Sequence, residues 1–367
     1  MTEMIRAAVQ TGPRQIEMRE FARPTMGPDD GLLRVEANGI CGSDVEIYGG
    51  HIGSHPTPFI PGHEPMGIIA ELGDRAAERW GVQVGDRVAL EVIVPCRACN
   101  DCLTGRYQAC RFRKYGHGVT GIDVEPSLWG GFAEYMYISP NSVLHRIDNS
   151  LPAEIAAMYN PLGAGVRWAV DLGEVALGDT LVILGTGQRG LGAVIAAKSV
   201  GASNIIITGL PSDAHKLAVA RELGADHTVI VGPDGQDIVE AVTEITDGRM
   251  ADVSLDLTPM AAGPVTDAMK VVRHGGRVVL AGLKGRQEIP LVTDLIINRA
   301  LTVKGAFGVD ASANKRAIQL LESGRFPLEL LHTHTFGLDD VGLAIDTLAG
   351  ITEDKSAIHV SVHPSFA

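Results

Sequence analysis

The chain has 367 residues, of which 20% are charged, and a formal net charge of −13. It is long enough for two domains with separate cores. The negative charge argues against a general nucleic-acid binder, because attraction to phosphates needs a basic surface. No apolar run has the length of a membrane span, and the first residues lack the apolar stretch of a signal peptide. We therefore expect a cytoplasmic protein whose thiols stay reduced.

The chain up to about residue 150 is rich in Gly, Pro and short β-like runs such as "GLLRVEANGI", which predicts a domain of short strands. Within it, Cys41 lies in "GICGSDVEIYGGH", and His63 and Glu64 follow in "PGHEPMG". A thiolate, an imidazole and a carboxylate suit zinc, and three protein ligands leave a position open for substrate. The alternative is an inert buried cysteine and a His-Glu pair in an ordinary turn.

Four further cysteines occur in "PCRACNDCLTGRYQAC", with the spacing C-x2-C-x2-C-x7-C. A ferredoxin-type run would close with a shorter gap and a Pro after the last cysteine. A redox C-x-x-C pair is expected in a βαβ unit. Four thiolates close a tetrahedral zinc shell, which predicts a structural zinc held by Cys96, Cys99, Cys102 and Cys110. Nearby arginines allow a nucleic-acid module as an alternative, but on an acidic protein they are more typical of a solvated face.

From about residue 180, six apolar runs alternate with helical segments, which is typical of a doubly wound parallel sheet. The runs are "TLVILG", "NIIITG", "HTVIVG", "DVSLDLT", "RVVLAGL" and "LTVKGAF". One helical segment, "DAHKLAVARELGAD", is expected to end at Gly224.

The first strand of this sheet runs into "LVILGTGQRGLG", a G-x-G-x-x-G pattern that contains Gln188 and Arg189. Gly185 permits a tight turn, Gly187 lets the backbone approach a pyrophosphate, and Gly190 allows close packing of helix on strand. The pattern therefore predicts a Rossmann domain that binds a dinucleotide at a helix N-terminus.

The acidic residue that usually binds the adenosine ribose is missing, because Gly209 stands at its expected place. Asp213 is a candidate from a longer loop, or else it caps the next helix. Ser212, His215 and Lys216 are candidates for a 2′-phosphate. NAD versus NADP stays open at this point, and the lack of an Arg favours NAD.

These motifs resemble the zinc-containing medium-chain alcohol and polyol dehydrogenases over nearly the full chain. The matching stretches are "GICGSD", "PGHEPMG", "GDRV", the four-cysteine lobe, "GGFAEY", "NPLGAGVRWA", "GTGQRGLG" and "ARELGAD". The resemblance implies a GroES-like, mainly β catalytic domain over 1–158, with 311–367 packing back on it. It implies a Rossmann domain over 159–310, and an active site between the two domains.

The resemblance also assigns roles to individual residues. Cys41, His63 and Glu64 fall on catalytic-zinc positions, Asp44 orients His63, and Ser43 takes the alcohol proton. Cofactor contacts are expected at Thr258, Gly282, Leu283 and Phe307.

Two positions depart from the family pattern. Asn160 stands where members usually carry a ligating or water-holding Glu, Asp or Cys. Glu46 stands where many members complete the proton relay with a His. Asn160 is a candidate for a weak, neutral zinc ligand or for holding a zinc-bound water. Glu46 is a candidate for the relay, for a substrate hydroxyl or for plain surface charge.

The resulting prediction is a zinc- and NAD(P)-dependent alcohol dehydrogenase with two zincs per chain. Tyr48, His51 and His117, with Glu46, slightly favour a polyol or sugar-derived substrate. A homodimer or homotetramer is expected, with no nucleic-acid or membrane partner. The alternative is a member of the fold that has lost catalysis and acts as a binding or scaffold protein.

Overall fold

The computed structural model describes residues 3–52 and 58–365, which form two compact units. The first unit contains the chain up to Asn160 and returns from His332 onward, and the second contains Pro161–Leu331. Among the described residues, no helix has both the length and the apolar character needed to cross a bilayer.

The first unit is built on antiparallel strands, as the Gly- and Pro-rich sequence predicts. The strands are β1 (Met4–Gly12), β2 (Gln15–Ala22), β3 (Gly31–Gly39), β4 (Glu64–Leu72), β5 (Arg87–Leu90), β6 (Tyr135–Ile138) and β7 (Leu144–Arg146). The short helices are α1 (Gly42–Tyr48), α2 (Asp74–Trp80), α3 (Asn100–Leu103) and α4 (Ala153–Ala156). Side chains that alternate along β3 and β4, such as Leu33, Val35 and Ile69, form one buried cluster of this unit.

The second unit is a six-stranded parallel sheet with helices between its strands. Its strands are β8 (Thr180–Leu184), β9 (Asn204–Gly209), β10 (His227–Ile230), β11 (Ala251–Asp256), β12 (Val272–Leu280) and β13 (Thr302–Gly305). Its helices are α5 (Tyr159–Gly165), which begins in the first unit, α6 (Gln188–Ser199), α7 (Ala214–Glu222), α8 (Ile238–Ile245), α9 (Gly263–Lys270), α10 (Asp294–Asn298) and α11 (Ala311–Glu322). The spatial order β10-β9-β8-β11-β12-β13 is that of a Rossmann sheet, so the predicted fold class is confirmed.

The last part of the chain completes the first sheet. It contains β14 (His332–Phe336), α12 (Val341–Leu348) and β15 (His359–Val362). Strand β15 pairs antiparallel with β3, placing Ser361 opposite Gly39. Because Gly39 also lies opposite Glu64, the end of the chain reaches the part of the sheet that carries the candidate metal ligands.

The sequence-based division placed 311–331 with the first domain, whereas the structure places these residues in the second unit. The reason lies in the packing of α11. This helix contacts the π-helical turn Val166–Leu172, and Arg316 of α11 pairs with Asp171 at 2.6 Å. These partners lie far apart in the sequence, so the pattern of α11 alone does not reveal which unit it joins.

Candidate metal centres and nucleotide groove

Cys41 lies directly before α1 and is fully buried. The stretch "CGSD" forms a reciprocal cap at the start of this helix. The backbone N–H of Ser43 donates to Cys41 Sγ at 3.4 Å, and the backbone N–H of Cys41 donates to Asp44 Oδ2 at 2.8 Å. The cap fixes the direction of the thiol.

Asp44 also orients His63. Its Oδ1 lies 3.0 Å from His63 Nδ1, and both side chains are buried. Burial opposes the charged imidazolium, but the Asp44 carboxylate outweighs it and raises the pKa of His63 well above its usual range. With Nδ1–H directed at Asp44, Nε2 is the nitrogen left to coordinate a metal. The Ser43 hydroxyl lies 3.2 Å from that Nε2 and 3.1 Å from Cys41 Sγ.

Glu64 is fully buried at the first position of β4. The turn before it depends on Gly62, which has φ of +88°, and a Cβ at Gly62 would lie 2.7 Å from the backbone N of Phe132. Ligand atoms of Cys41, His63 and Glu64 all lie within 4.8 Å of one another. One thiolate, one imidazole and one carboxylate at such separations fit a tetrahedral zinc ion with a fourth position open.

The four-cysteine lobe brings its thiols together around one point. Cys96 Sγ lies 3.8 Å from Cys102 Sγ, and Cys99 Sγ lies 3.5 Å from Cys102 Sγ and 3.9 Å from Cys110 Sγ. Four sulfurs at Zn–S bonds of about 2.3 Å would be separated by roughly 3.8 Å in a tetrahedron. The sulfur set therefore fits one zinc ion and leaves no coordination position for a substrate.

The thiols of this lobe do not ionise equally. Backbone N–H groups of Ala98 and Cys99 lower the pKa of Cys96 to about 6, and burial raises the pKa of Cys102 to about 12. The loop alone thus stabilises a thiolate at Cys96 and opposes one at Cys102. A bound cation would supply the charge that four thiolates require.

A buried carboxylate that the sequence analysis did not single out anchors the lobe. Glu91 is 2% exposed. It accepts a hydrogen bond from the Tyr107 hydroxyl at 2.6 Å, and its other oxygen lies 2.8 Å from His145 Nε2. Tyr107 lies between the third and fourth cysteines, so Glu91 connects the lobe to β5 and β7. The only sequence signal was a lone Glu in an otherwise apolar run, "VALEVIV".

The two departures from the family pattern lie in different surroundings. Asn160 is buried near the start of α5, and its role toward a metal stays a prediction. Glu46 Oε2 lies 3.2 Å from Nδ1 of the exposed His51, so these two residues form a pair near the surface. That pairing favours the surface-charge role for Glu46.

Tyr48 and His117 are interior residues. His117 is fully buried, its Nε2 lies 2.8 Å from Ser142 Oγ, and burial lowers its pKa to about 4. Tyr48 is 7% exposed, and the Arg14 guanidinium stacks over its ring. Both side chains lie in the interior of the first unit, and their role toward a substrate stays a prediction.

The glycine pattern in the second unit shapes the turn between β8 and α6. A Cβ at Gly190 would lie 2.1 Å from the Gly185 carbonyl oxygen, so only Gly allows this approach of helix to strand. A Cβ at Gly187 would meet nothing within 4 Å, which leaves its backbone open to a ligand. This is the arrangement that accepts a pyrophosphate at a helix N-terminus.

A groove with a volume of about 810 Å³ lies at the carboxyl ends of the parallel strands. Six predicted cofactor residues line it: Gly185, Gly187, Gly209, Asp213, Lys216 and Thr258. Six others do not belong to its lining: Gly190, Gln188, Arg189, Gly282, Leu283 and Phe307. Ligands of open α/β sheets bind at this edge, so the groove fits a dinucleotide.

The side chains outside the lining lie in several environments. Gln188 is buried, and the Arg189 guanidinium stacks over Trp168 at 5.2 Å. Leu283 and Phe307 are 62% and 69% exposed. Their predicted cofactor contacts stay predictions.

Asp213 lies next to Gly209, because a Cβ on that glycine would be 3.1 Å from Asp213 Cβ. Its carboxylate accepts a hydrogen bond from the Leu210 N–H at 3.0 Å and pairs with Lys216 Nζ at 3.0 Å. It makes no side-chain cap bond to α7. The longer loop thus supplies a carboxylate and an ammonium group at the end of β9.

A Rossmann unit with a nucleotide groove, together with a unit that carries a Cys-His-Glu cluster, is typical of the dinucleotide-dependent dehydrogenases. Two family models match the chain: the alcohol dehydrogenase GroES-like domain at residues 27–149 and the zinc-binding dehydrogenase domain at 190–323.

The chain is 42% identical to a probable alcohol dehydrogenase of Mycobacterium tuberculosis, over 98% of this chain and 99% of that relative. It is 32% identical to an erythritol/L-threitol dehydrogenase of Mycolicibacterium smegmatis, over 99% of this chain and 98% of the relative. A crystal structure of a zinc-binding dehydrogenase from Sinorhizobium meliloti bound to NADP is similar, with a TM-score of 0.86 and 28% identity, covering 99% of this chain and all of that one.

The chain belongs to the zinc-containing medium-chain dehydrogenase family, as the sequence motifs predict. The predicted function class, an NAD(P)-dependent oxidoreductase of the alcohol dehydrogenase type, is confirmed at that level.

Proposed function

We propose that this protein is a zinc-dependent enzyme that interconverts a polyol or other hydroxylated alcohol with its carbonyl compound. The observation that carries the proposal is the buried cluster of Cys41, His63 and Glu64, with Ser43 in contact with two of its ligand atoms. The polyol substrate class is supported by the similarity to a relative named for erythritol and threitol.

The chain's own residues orient the reactants and move the proton. Asp44 fixes both Cys41 and His63 through its two carboxylate oxygens. The Ser43 hydroxyl lies at the cluster and would accept the alcohol proton and pass it outward. A zinc ion held by Cys41, His63 and Glu64 would supply a Lewis acid that lowers the pKa of the alcohol. A dinucleotide in the groove of the second unit would supply the hydride acceptor.

Further features belong to the same proposal. We propose one catalytic and one structural zinc per chain, the latter in the four-cysteine lobe, and NAD as the preferred cofactor. We also propose a cytoplasmic homodimer or homotetramer. Elemental analysis that finds one metal per chain, or iron, would contradict the two-zinc part.

The test is turnover of zinc-loaded protein with polyols, simple alcohols and the matching ketones, followed at the absorbance of reduced cofactor. We expect activity with a hydroxylated substrate, loss of activity after removal of the catalytic zinc by a chelator, and recovery on zinc addition. Absence of turnover with every substrate, while zinc and cofactor still bind, would favour the non-catalytic alternative.

Cofactor preference gives a second prediction. The Asp213 carboxylate repels a 2′-phosphate and can accept ribose hydroxyls, whereas Lys216 attracts a phosphate. We expect Asp213→Asn to lower the ratio of kcat/KM for NAD to that for NADP by about 10–100-fold, the effect of a charge-assisted hydrogen bond of roughly 1.5–3 kcal/mol. Steady-state kinetics with both cofactors measures the ratio.

The matched control is Lys198→Ala, which removes an ammonium paired with Asp226 outside the groove lining. It should leave the ratio unchanged. Lys216→Ala should raise the ratio or leave it unaltered. An unchanged ratio in Asp213→Asn would contradict the assignment of Asp213 as the ribose-binding residue.

A further inference from the structure

A buried ion pair lies beside the nucleotide groove and has no part in the function proposed above. Lys284 Nζ lies 2.8 Å from Asp256 Oδ2, and the two side chains are 12% and 0% exposed. Asp256 is the last residue of β11, and Lys284 follows the neighbouring parallel strand β12. The pair therefore lies at the carboxyl edge of the sheet, where ligands of this fold bind.

The Lys284 ammonium group also binds Thr258. It donates to the Thr258 carbonyl oxygen at 2.5 Å and to Thr258 Oγ1 at 3.1 Å. Two hydrogen bonds and one ion pair therefore join the ammonium group to Thr258 and Asp256. Its charge is balanced by Asp256, and Lys284 itself does not belong to the groove lining, so its effect on the groove passes through Thr258.

Asp256 holds the same threonine from the other side. Its Oδ1 accepts hydrogen bonds from the Thr258 N–H at 3.1 Å and from the Thr258 hydroxyl at 2.6 Å. The backbone and the side chain of Thr258 are therefore both fixed by one ion pair. The N–H of Met260, which donates to the Leu283 carbonyl at 2.8 Å, ties the same two loops together.

Thr258 forms part of the groove wall. A Cβ at Gly185 would lie 3.3 Å from Thr258 Cγ2, so the methyl group packs close to the first glycine of the fingerprint. The Leu257 N–H, which donates to the Leu184 carbonyl at 2.9 Å, joins the residue before Thr258 to the end of β8. A shift of Thr258 would change the groove where the phosphate-binding turn begins.

We propose that Lys284 is a positioning residue for the dinucleotide, acting through Thr258. It sets the affinity for cofactor because it holds Thr258 at the groove wall, and it leaves the chemical step untouched. This inference rests on the proposed binding of the cofactor in this groove.

The test is a fluorescence titration of NADH into Lys284→Met, with steady-state kinetics alongside. We expect the Kd for NADH to rise at least about tenfold, while kcat at saturating cofactor stays within about threefold of wild type. The matched control is Lys304→Met, since Lys304 Nζ also binds a carboxylate and a carbonyl, those of Glu174 and Leu172, outside the groove lining. It should leave the Kd unchanged.

Loss of the ammonium leaves Asp256 buried without a cation, which destabilises the fold. The double variant Asp256→Asn with Lys284→Met removes both charges and keeps an acceptor for Thr258. It should fold and show the same rise in Kd. Combining Lys284→Met with Thr258→Val should raise the Kd by less than the product of the two single effects, because both changes act on one contact.

The outcomes separate this inference from the proposed function. If wild-type protein binds NADH, and Lys284→Met or the double variant binds it with a Kd within twofold of wild type, the role of Lys284 is overturned. The proposed cofactor site would still stand. Wild-type protein that binds no NADH would overturn both the proposed cofactor site and this inference.

Discussion

Replacing Cys41 by Ala is expected to lower kcat by about four orders of magnitude, equal to roughly 5.5 kcal/mol of transition-state stabilisation. The thiol is one of three candidate ligands in the first-unit cluster. Two protein ligands would hold zinc poorly, and without the ion the alcohol keeps its high pKa. Cofactor binding should survive, because every residue that lines the nucleotide groove belongs to the second unit.

The measurement combines kcat, zinc content and the Kd for NADH. Cys41 also caps α1 by accepting from the Ser43 N–H, and losing a cap costs only about 1 kcal/mol of stability. Cys41→Ser separates the two roles, since a hydroxyl can still cap the helix but replaces the thiolate ligand. We expect this variant to be equally inactive, with one zinc per chain remaining. Full activity in Cys41→Ala would contradict the site assignment.

The cluster of Cys41, His63 and Glu64 could be predicted from the sequence because part of its chemistry is local and its residue types are specific. "GICGSD" contains both a ligand and the carboxylate that orients another ligand, and the helix cap joins them within four residues. The pairing of Asp44 with His63 was predicted by resemblance alone, and the structure brings those two side chains to 3.0 Å.

Contacts between distant segments could not be predicted from the sequence. The pair Lys284–Asp256 joins the end of β11 to the loop after the neighbouring strand β12, and the sequence predicts cofactor contacts only at the adjacent Gly282 and Leu283. The same applies to α11, whose amphipathic pattern predicts a helix but not the Asp171 that Arg316 binds. Periodicity indicates which face of an element is buried, and long-range partners depend on the three-dimensional arrangement.

The role of Glu91 also depends on contacts between distant segments, and these contacts support the four-cysteine lobe. A buried carboxylate needs hydrogen-bond donors or a cation. Tyr107 supplies one from the lobe, and His145 faces the other oxygen. The Arg97 guanidinium adds a bond of 2.6 Å to the Ser142 carbonyl. These polar contacts connect the lobe to the strands. They form only when the lobe is folded.

Loss of a zinc ion from the four-cysteine lobe should therefore destabilise the protein more than loss of one from the Cys41–His63–Glu64 cluster. We expect Cys110→Ser to remove one zinc per chain and to lower the free energy of unfolding by at least about 3 kcal/mol, which is roughly 6–12 °C in Tm for a unit of this size. The three remaining thiols would lack the fourth ligand of a closed shell. The Tyr107–Glu91 bond would then hold a lobe with little apolar core of its own, whose exposed residues include Leu103 and Phe112.

Thermal unfolding with zinc quantification measures both effects. The control is Cys41→Ser, which would lose the other zinc ion and for which we expect a much smaller change in Tm. If Cys110→Ser keeps two zinc ions per chain and the Tm of wild type, the structural role of the lobe zinc is contradicted. If it loses one zinc ion and has a lower Tm, the four-cysteine lobe depends on its metal to stay folded.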